Sequence, residues 1–293
     1  MTSSWQALVS GLSAGSLYAL VALGLVLVWR SSRVLNFAHG DVSTLGTFVA
    51  FALVTAGYPF PLAVAAGMAV AAAISVGFFF GAVVPAQRKE ASHAALMILT
   101  LGLGQLAHAV VLWRWPAEPT RFPFPVSETA TLRLGPLYVG HLSLLALGVG
   151  LLGAVGLFVL VQRTRLGLAL RAISEDRSAA QTLGIPTRLV LAFAWGASAA
   201  LGVGAGVVLA AQLLLDPFFM LDAFLKGFAA ATLGGLNSLP GALFGGLLLG
   251  AAEGVLGSAL GVEFRNSLAF LAIVLVLLVR PEGLLGREFK ERV

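Results

Sequence analysis

The chain alternates between long uncharged apolar stretches and short polar connections. A transmembrane helix needs about 20 apolar residues, and 7–29 is the first uncharged stretch of that length. The next, 42–87, is long enough for two helices, and the glycine and prolines of 57–61 divide it into spans near 40–56 and 61–84. The same criterion predicts further spans at 94–113, 141–162, 189–215, 240–259 and 266–279, with a broken segment at 223–235. We therefore expect an all-α, polytopic transmembrane helical bundle of about eight spans.

Two polar connections interrupt this pattern. Segment 116–140 contains five prolines and scattered charges, which predicts a surface loop. Segment 163–188 is the most polar part of the chain. The last span, 266–279, is short and can cross only if Arg265 and Arg280 at its ends reach toward the headgroups.

Basic residues collect on one side of this topology. Cytoplasmic loops of membrane proteins carry an excess of lysine and arginine. Placing 163–188 in the cytoplasm puts the basic loops near residues 30–33 and 88–89, and the C-terminal tail, on the same side. This assignment predicts an N-terminus outside, together with loop 116–140, and a cytoplasmic C-terminus. We also expect the first stretch to be retained as a span, because no basic segment precedes it and it is too long for the apolar core of a signal peptide.

The composition agrees with a membrane protein and excludes several kinds of chemistry. Of the 293 residues, 59% are hydrophobic and 11% charged, whereas soluble domains are about 25% charged. The net charge of +5 is explained by the basic loops and does not indicate nucleic acid. The sequence contains no cysteine, which excludes disulfides and thiolate sites. It also lacks a nucleotide-binding motif, a metal-ligand motif and a credible catalytic triad. We therefore expect no cofactor, no metal and no catalytic residue.

Glycines recur at a spacing of about four in the seventh span. Small residues at this spacing allow membrane helices to pack closely, although a glycine-lined conduit is an alternative. The residues concerned are Gly241, Gly245, Gly246, Gly250 and Gly254.

The first polar motif lies where the second span begins. Asn36, His39, Gly40 and Asp41 stand together at the start of an apolar helix. Polar groups at membrane depth usually line a cavity or bond to exposed backbone. The residues are therefore candidates for the transport pathway or its gate. The alternative is a helix cap, with Asn36 or Asp41 bonded to free amides and His39 at the lipid headgroups.

The second polar motif interrupts an uncharged stretch at 234–241. Asn237, Ser238 and Gly241 lie in this break, and transporters use broken helices to bind polar substrates. An ordinary tight turn between two spans is the alternative. Glu253 follows as an ionisable residue within a span, and we expect it to face the bundle interior or the outer interface because a carboxylate in lipid is costly.

The third motif predicts a short helix in the polar connection 163–188. We expect Ser174 to cap the helix, Glu175 and Asp176 to lie in its first turn, and Gly184 and Pro186 to end it. Such a helix suits docking to another protein, and a helix lying on the membrane surface is the alternative. The apolar or small residues expected on one face are Ala172, Ala179, Ala180 and Leu183.

Together these motifs resemble the permease subunits of ATP-binding-cassette (ABC) importers for branched-chain amino acids, the H-type subunit in particular. The resemblance runs in order along nearly the whole chain, and loop 116–140 matches least. It rests on the segments 36–41, 175–185, 226–241, 249–253 and 280–286.

The resemblance implies one permease domain, 1–293, in the plasma (inner) membrane. It implies a coupling loop near 163–188, with Glu175, Asp176, Ala179, Ala180, Leu183 and Gly184 facing an ATPase, and an extracytoplasmic loop near 116–140. The implied partners are a second related permease, two cytoplasmic ATP-binding subunits, an extracytoplasmic solute-binding protein and membrane lipid, with no nucleic acid. The pathway candidates are Asn36, His39, Gly40, Asp41, Asn237, Ser238 and Gly241.

Two alternative functions remain open from sequence. One is a stand-alone secondary transporter or channel, which would need its own ion-coupling residue, with Glu253 as the candidate. The other is an ABC permease for urea or short amides. A requirement for ATP and a partner ATPase distinguishes the first alternative from the importer.

Overall fold

The structure is a computed structural model that describes residues 2–126, 131–134, 137–261, 267, 271, 274–276, 278–280 and 282–286. The described part is almost entirely helical, with one two-stranded sheet. A π-helical turn at Phe79–Val83 joins α3 to α4. The elements are α1 (Thr2–Ser32), α2 (His39–Thr55), α3 (Phe60–Phe78), α4 (Val84–Arg88), α5 (His93–Arg114), β1 (Thr131–Leu134), β2 (Leu137–Gly140), α6 (His141–Arg163), α7 (Arg165–Glu175), α8 (Arg177–Thr182), α9 (Thr187–Gln212), α10 (Phe219–Gly234) and α11 (Leu239–Leu260).

Helix α1 lies at the centre of the bundle. It contacts α6, α9, α10 and α11, and most of its length is buried. Its small residues allow this close packing, since Ser16 is fully buried and its Oγ donates to the carbonyl oxygen of Ala146 in α6 over 3.0 Å. The first apolar stretch of the sequence is therefore the core around which the other helices assemble.

Helix α11 packs antiparallel to α1 through glycines. A Cβ at Gly250 or Gly254 would collide with the backbone of α1, at Gly11 and Ala7 respectively. A Cβ at Gly245 would collide with the backbone of α10 at Ala230. The glycine repeat of this span therefore serves close helix packing, as the first interpretation of the sequence predicted.

The bundle has two distinguishable ends. We call the end with β1 and β2 the hairpin end. Gln6, near the start of α1, bonds to Tyr138 there, and Gln212, the last residue of α9, donates to the carbonyl oxygen of Leu142. We call the opposite end the α8 end, where Arg177 of α8 donates to Gln87 of α4.

The described chain contains six helices long and apolar enough to cross a membrane. They are α1, the continuous helix from α3 to α4, α5, α6, α9 and α11. The outer helices α5 and α6 expose large apolar side chains such as Leu106 and Leu152, which suits contact with lipid. The expected helical membrane bundle is present. The finer expectations, about eight spans and the orientation of the termini, are not confirmed. Helices α2 and α10 have 17 and 16 residues, and segment 266–279 lies largely outside the described residues.

Loop 116–140 is less irregular than its prolines suggested. It contains the antiparallel hairpin of β1 and β2, and Thr120 pairs through its backbone with Leu215 in the connection between α9 and α10. The sequence analysis expected a surface loop and missed both features. Each strand of the hairpin has only four residues, and the partner of Thr120 is distant in sequence.

Candidate functional site

The segment between α1 and α2 is a non-helical chain buried inside the bundle. Asn36 is 3% exposed. The amide of Phe37 donates to Oγ1 of Thr100 over 3.1 Å, and that hydroxyl reaches the carbonyl oxygen of Leu35 at 3.3 Å. The amide of Ala38 donates to Oδ1 of Asn36 over 3.1 Å. Side chains thus bond the backbone groups that the helix break leaves free, which would otherwise be costly in an apolar surrounding.

His39 begins α2 and is enclosed by the surrounding helices. It is 1% exposed, and Nδ1 lies 3.1 Å from Oγ of Ser198 in α9. Ser198 lies about 16 Å along α9 from its first residue, in a helix about 39 Å long. A Cβ at Gly24 would lie 2.6 Å from Cε1 of the ring, and one at Gly202 would lie 3.1 Å from the same atom. Glycines in α1 and α9 therefore make the space for the imidazole.

One nitrogen of this imidazole has no hydrogen-bond partner within the described chain. It is Nε2 of His39, on the opposite side of the ring from Ser198. A buried polar atom normally has a partner. His39 therefore retains one unused hydrogen-bonding group near the middle of the bundle.

The next two residues of the motif face different neighbours. Gly40 packs against Phe224 of α10, where an added Cβ would lie 3.1 Å from the Cβ of that phenylalanine. Asp41 is partly exposed, and its Oδ1 lies 3.7 Å from Nδ1 of His108 in α5. The carboxylate lies in the first turn of α2, where a negative charge is favourable. The N-cap residue, Ala38, makes no side-chain capping bond.

A tight turn joins α10 to α11. Gly235 has a φ of 102°, which favours glycine, and Oγ of Ser238 accepts from the amide of Gly241 over 3.0 Å to cap α11. Nη1 of Arg33, directly after α1, donates to Oδ1 of Asn237 over 3.2 Å. This hydrogen bond links the segment before α2 with the turn before α11.

The C-terminal part of the chain packs beneath this turn. The amide of Leu284 donates to the carbonyl oxygen of Leu233 over 2.8 Å, and the amide of Leu285 donates to that of Gly234 over 3.1 Å. Both bonds satisfy carbonyl groups at the end of α10. The turn is thus held from two sides, by Arg33 and by segment 282–286.

Four polar side chains from three helices meet nearer the hairpin end, and we call them the enclosed cluster. Nζ of Lys226 lies 2.9 Å from Oδ2 of Asp222 and 3.2 Å from Oε1 of Glu253. It also donates to the hydroxyl of Tyr18 over 3.4 Å, and that hydroxyl donates to Oε2 of Glu253 over 3.3 Å. Lys226 and Glu253 are about 10 Å from the hairpin ends of α10 and α11.

The charged groups of the enclosed cluster are paired with one another, and two of them are buried. Glu253 is 4% exposed and Lys226 6%, whereas Asp222 is 54% exposed. Buried charges are stable only when they are paired and hydrogen-bonded. Glu253 thus lies inside the bundle, bonded to α1 and α10 together.

Helix α8 forms the exposed part of the polar connection 163–188. Oδ1 of Asp176 accepts from the amides of Ser178 and Ala179, over 2.8 and 3.0 Å, and so caps the helix. These bonds lower the pKa of Asp176 below its ordinary value. Gly184, with a φ of 79°, follows the helix as predicted.

The prediction that Ser174 caps this helix is wrong. Ser174 and Glu175 belong to the last turn of α7, and Oγ of Ser174 donates to the carbonyl oxygen of Arg171. The extended backbone of Asp176 separates α7 from α8, so its carboxylate is the group that reaches the free amides.

The predicted small-residue face is divided in the structure. Ala180 is buried at 2% exposure, against the other helices of the chain. Leu183 is 80% exposed, and Ala179, Glu175 and Gly184 are also exposed. Ala172 lies on α7. The surface of α8 that is free to meet another protein is therefore smaller than the sequence indicated.

The sequence analysis missed several partners of these residues. Thr100 and Ser198 lie in apolar helices with no local feature that marks them. Lys226 does carry a signal, because Asp222 and Lys226 are four residues apart and share one helix face. Their spacing predicts a pair, but nothing in it identifies Glu253 as the third member.

Comparison with known sequences finds relatives over nearly the whole chain. The model of the family described as the branched-chain amino acid transport system / permease component matches residues 7–279. The chain is 34% identical to the high-affinity branched-chain amino acid transport system permease protein BraD of Pseudomonas aeruginosa, covering 98% of this chain and 97% of BraD. It is 31% identical to the corresponding permease protein LivH of Escherichia coli K12, with the same coverage of both chains.

A solved structure shares the fold at lower sequence identity. It is PsaBC from Streptococcus pneumoniae in complex with Fab, with a TM-score of 0.50 and 17% identity. The alignment covers 94% of this chain and 89% of that one. At this identity the likeness concerns the fold alone.

Proposed function

The chain belongs to the family of permease components of branched-chain amino acid transport systems, and from that premise we propose that it is the pathway-forming subunit of an ATP-driven importer for branched-chain or related amino acids. It is a multi-pass protein of the plasma (inner) membrane and a transport subunit, not an enzyme. The observation that carries the proposal is the match to transport permeases along 98% of the chain. A match confined to one motif would not support the function of the whole chain.

The proposed pathway includes the two breaks in the helices. Asn36, His39, Gly40 and Asp41 flank the first break, and Asn237, Ser238 and Gly241 flank the second. The buried Nε2 of His39 and the hydrogen bond from Arg33 to Asn237 support this assignment. Polar groups inside a membrane bundle are costly and therefore usually mark a binding or transport pathway. A second, related permease subunit completes the pathway in this proposal.

The proposed contact with the ATPases is α8 and the residues that follow it. Two ATP-binding subunits at the α8 end would contact Glu175, Ala179, Leu183 and Gly184, which are exposed. Asp176 shapes this surface by capping α8, and the buried Ala180 anchors it to the bundle. In this arrangement the α8 end is cytoplasmic, as is the C-terminus, and a solute-binding protein meets the hairpin end, including loop 116–140.

Reconstitution tests the proposed function. The permease is placed in vesicles with its partner permease, its ATPases and its solute-binding protein, and uptake of radiolabelled leucine is measured. We expect uptake only with ATP and the ATPases, and none from an ion gradient alone. Leucine uptake by the permease without ATPases, driven by protons or sodium, would contradict the proposal and favour a secondary transporter.

A substitution in α8 tests the proposed coupling. Leu183→Ser and Ala179→Trp should lower leucine uptake per ATP hydrolysed by about tenfold or more. Both residues are exposed, Ala179 on α8 and Leu183 directly after it. Leu106→Ser is the matched control, since Leu106 is also exposed, at 68%, but lies on α5. Equal transport-to-hydrolysis ratios in all three variants and the original protein would exclude α8 as the coupling contact.

A further inference from the structure

A second polar feature lies at the α8 end, outside the proposed pathway. A cavity of about 350 Å³ opens to the surface between the last turn of α4, helix α8 and the start of α9. We call it the arginine cavity. Its polar lining consists of three arginines and three uncharged hydrogen-bonding residues: Arg88, Arg177, Arg188, Gln87, Ser178 and Gln181.

The three arginines lack a counter-charge within the described chain. None of them forms an ion pair with a described carboxylate. Arg177 donates through both Nη atoms to Oε1 of Gln87, over 3.3 and 3.4 Å, and this acceptor is neutral. The acidic neighbour of Arg177 in sequence, Asp176, uses its Oδ1 for the amides of α8. Three positive charges therefore converge on a cavity whose described lining contains no carboxylate.

The arginines also repel one another. Partial burial lowers the pKa of Arg177, and the charge of Arg188 lowers it further. The arrangement is thus unfavourable by itself, and an anion in the cavity would relieve it. Guanidinium groups bind phosphate with two parallel hydrogen bonds each, which makes a phosphate group the anion that this cavity suits best.

The position of the cavity indicates where the phosphate comes from. Arg88 ends the candidate span Phe60–Arg88, and Arg188 is the second residue of the candidate span Thr187–Gln212. The ends of spans lie at the level of lipid headgroups. Phe80 and Leu189, on these two spans, are exposed at 40% and 64% and provide apolar surface for acyl chains. A soluble phosphate would use only the arginines.

We propose that the arginine cavity binds the phosphate headgroup of an anionic membrane lipid, and that this lipid fixes α8 against α4 and α9. Within the chain, α8 is held by the buried Ala180 and by Nε2 of Gln181, which donates to Oγ1 of Thr187 over 3.1 Å. A phosphate bonded to Arg88, Arg177 and Arg188 would join three elements at once. The proposal goes beyond the transport function and makes the position of α8 dependent on lipid.

The test compares two variants of equal charge. The cavity variant carries Arg88→Gln, Arg177→Gln and Arg188→Gln. The control variant carries Lys89→Gln, Arg163→Gln and Arg165→Gln, which remove the same charge from exposed positions at the same end. Each permease is placed in phosphatidylcholine nanodiscs with increasing phosphatidylglycerol. Retained phosphatidylglycerol is counted by native mass spectrometry, and unfolding is followed by heating.

We expect phosphatidylglycerol to bind the original protein and the control variant and to raise their unfolding temperatures. Juxtamembrane arginines contribute about fivefold each in affinity, so the cavity variant should bind about a hundredfold more weakly. Equal binding by the cavity variant, or equal loss in the control, would overturn the proposal. Single arginine-to-glutamine variants serve the same comparison where the triple variant does not fold, with an expected loss of about fivefold each.

Two further arms identify the source of the anion. Inorganic phosphate in pure phosphatidylcholine should not reproduce the rise in unfolding temperature, and a full reproduction would assign the cavity to a soluble anion. The ATPase subunits are then added in phosphatidylcholine alone. If they bind the original protein and the control variant but not the cavity variant, acidic side chains of the ATPase occupy the cavity and the lipid assignment is overturned. We expect equal ATPase binding by all three proteins in this arm.

Discussion

The enclosed cluster and the arginine cavity differ in whether their basic side chains lie beside carboxylates of the described chain. In the enclosed cluster, Lys226 lies within 3.2 Å of two carboxylates contributed by α10 and α11. In the arginine cavity, three guanidinium groups face a neutral glutamine and no described carboxylate. The enclosed cluster has its counter-charges within the chain, so removing one of its charges should lower the stability of the fold. The stability contributed by the arginine cavity should instead depend on an anion that the chain binds.

Removing the cation of the enclosed cluster should have the largest effect. Lys226→Met leaves Glu253 buried with the hydroxyl of Tyr18 as its remaining hydrogen-bond partner within the described residues. Breaking a buried ion pair from one side costs about 3 to 5 kcal/mol. We expect the free energy of unfolding, measured by denaturant titration in mixed micelles, to fall by this amount. Lys89→Met is the control, because Lys89 is exposed. Unfolding of Lys226→Met at the midpoint of the original protein would show that the cluster does not stabilise the fold.

The double variant Lys226→Met with Glu253→Met sharpens this result. Replacing both members of a buried pair by apolar residues of similar volume is often neutral or stabilising. The double variant should therefore recover most of the stability that Lys226→Met loses. A further loss in the double variant would mean that Glu253 has a separate stabilising partner.

The two carboxylates of the cluster should differ in their contributions. Glu253→Gln should cost about 1 to 2 kcal/mol, because a buried charged hydrogen bond is lost while Lys226 keeps Asp222. Asp222→Asn should cost less than about 0.5 kcal/mol, since Asp222 is half exposed and pairs at four residues' spacing. The same denaturant titration measures both. The reverse order would contradict the assignment of Glu253 as the buried partner that contributes most to the cluster.

A carboxylate placed in the arginine cavity should make it resemble the enclosed cluster. Gln87→Glu would bring a negative charge to the atoms that Arg177 now bonds. An exposed pair of this kind stabilises by about 0.2 to 1 kcal/mol. The rise in unfolding temperature caused by phosphatidylglycerol should then shrink. Gln162→Glu is the control, because Gln162 accepts from Arg171 outside the cavity. An unchanged lipid response in Gln87→Glu would contradict the proposed role of the three arginines.

The smallest effect concerns the acid titration of α8. The bonds from Ser178 and Ala179 depress the pKa of Asp176, so its contribution is present above the unfolded value of about 3.9. That contribution is lost as the pH falls through the lower, folded pKa. We expect the amide protons of Ser178 and Ala179 to shift in an NMR titration only below about pH 4. In Asp176→Asn, which keeps an oxygen acceptor, the shift should vanish. A midpoint above 3.9 would mean that these bonds do not hold the carboxylate.

Helix positions were predictable from sequence to a useful degree because apolar length and proline or glycine breaks are local signals. The span predicted at 94–113 is α5, His93–Arg114, and the span predicted at 240–259 is α11, Leu239–Leu260. The cap of α8 was predicted wrongly because Ser174 and Asp176 are both good caps. Which one serves depends on where α7 ends, and α7 runs to Glu175 with Ile173 buried against the bundle.

The inner contacts of the candidate site were not predictable in the same way. The motif at 35–41 correctly marked an unusual segment, but its depth follows from how the chain turns back after α1. That turn depends on Thr100 of α5 and Ser198 of α9, which are distant in sequence and ordinary in composition. The two arginines at helix ends and Arg177 also became a cluster only when α4, α8 and α9 were brought together.

State-dependent labelling of Asn36→Cys and Asn237→Cys tests the central claim, that the two breaks flank the transport pathway. The chain has no native cysteine, so each variant carries a single thiol. Leu106→Cys on the apolar outer face of α5 and Lys89→Cys on an exposed loop are the unreactive and reactive controls. In the assembled transporter, both test positions should react with a small water-soluble thiol reagent in at least one state. Their rates should differ between the nucleotide-free and the ATP-trapped forms. If both test positions remain as unreactive as Leu106→Cys in both forms, the two breaks are packing elements and the pathway lies elsewhere.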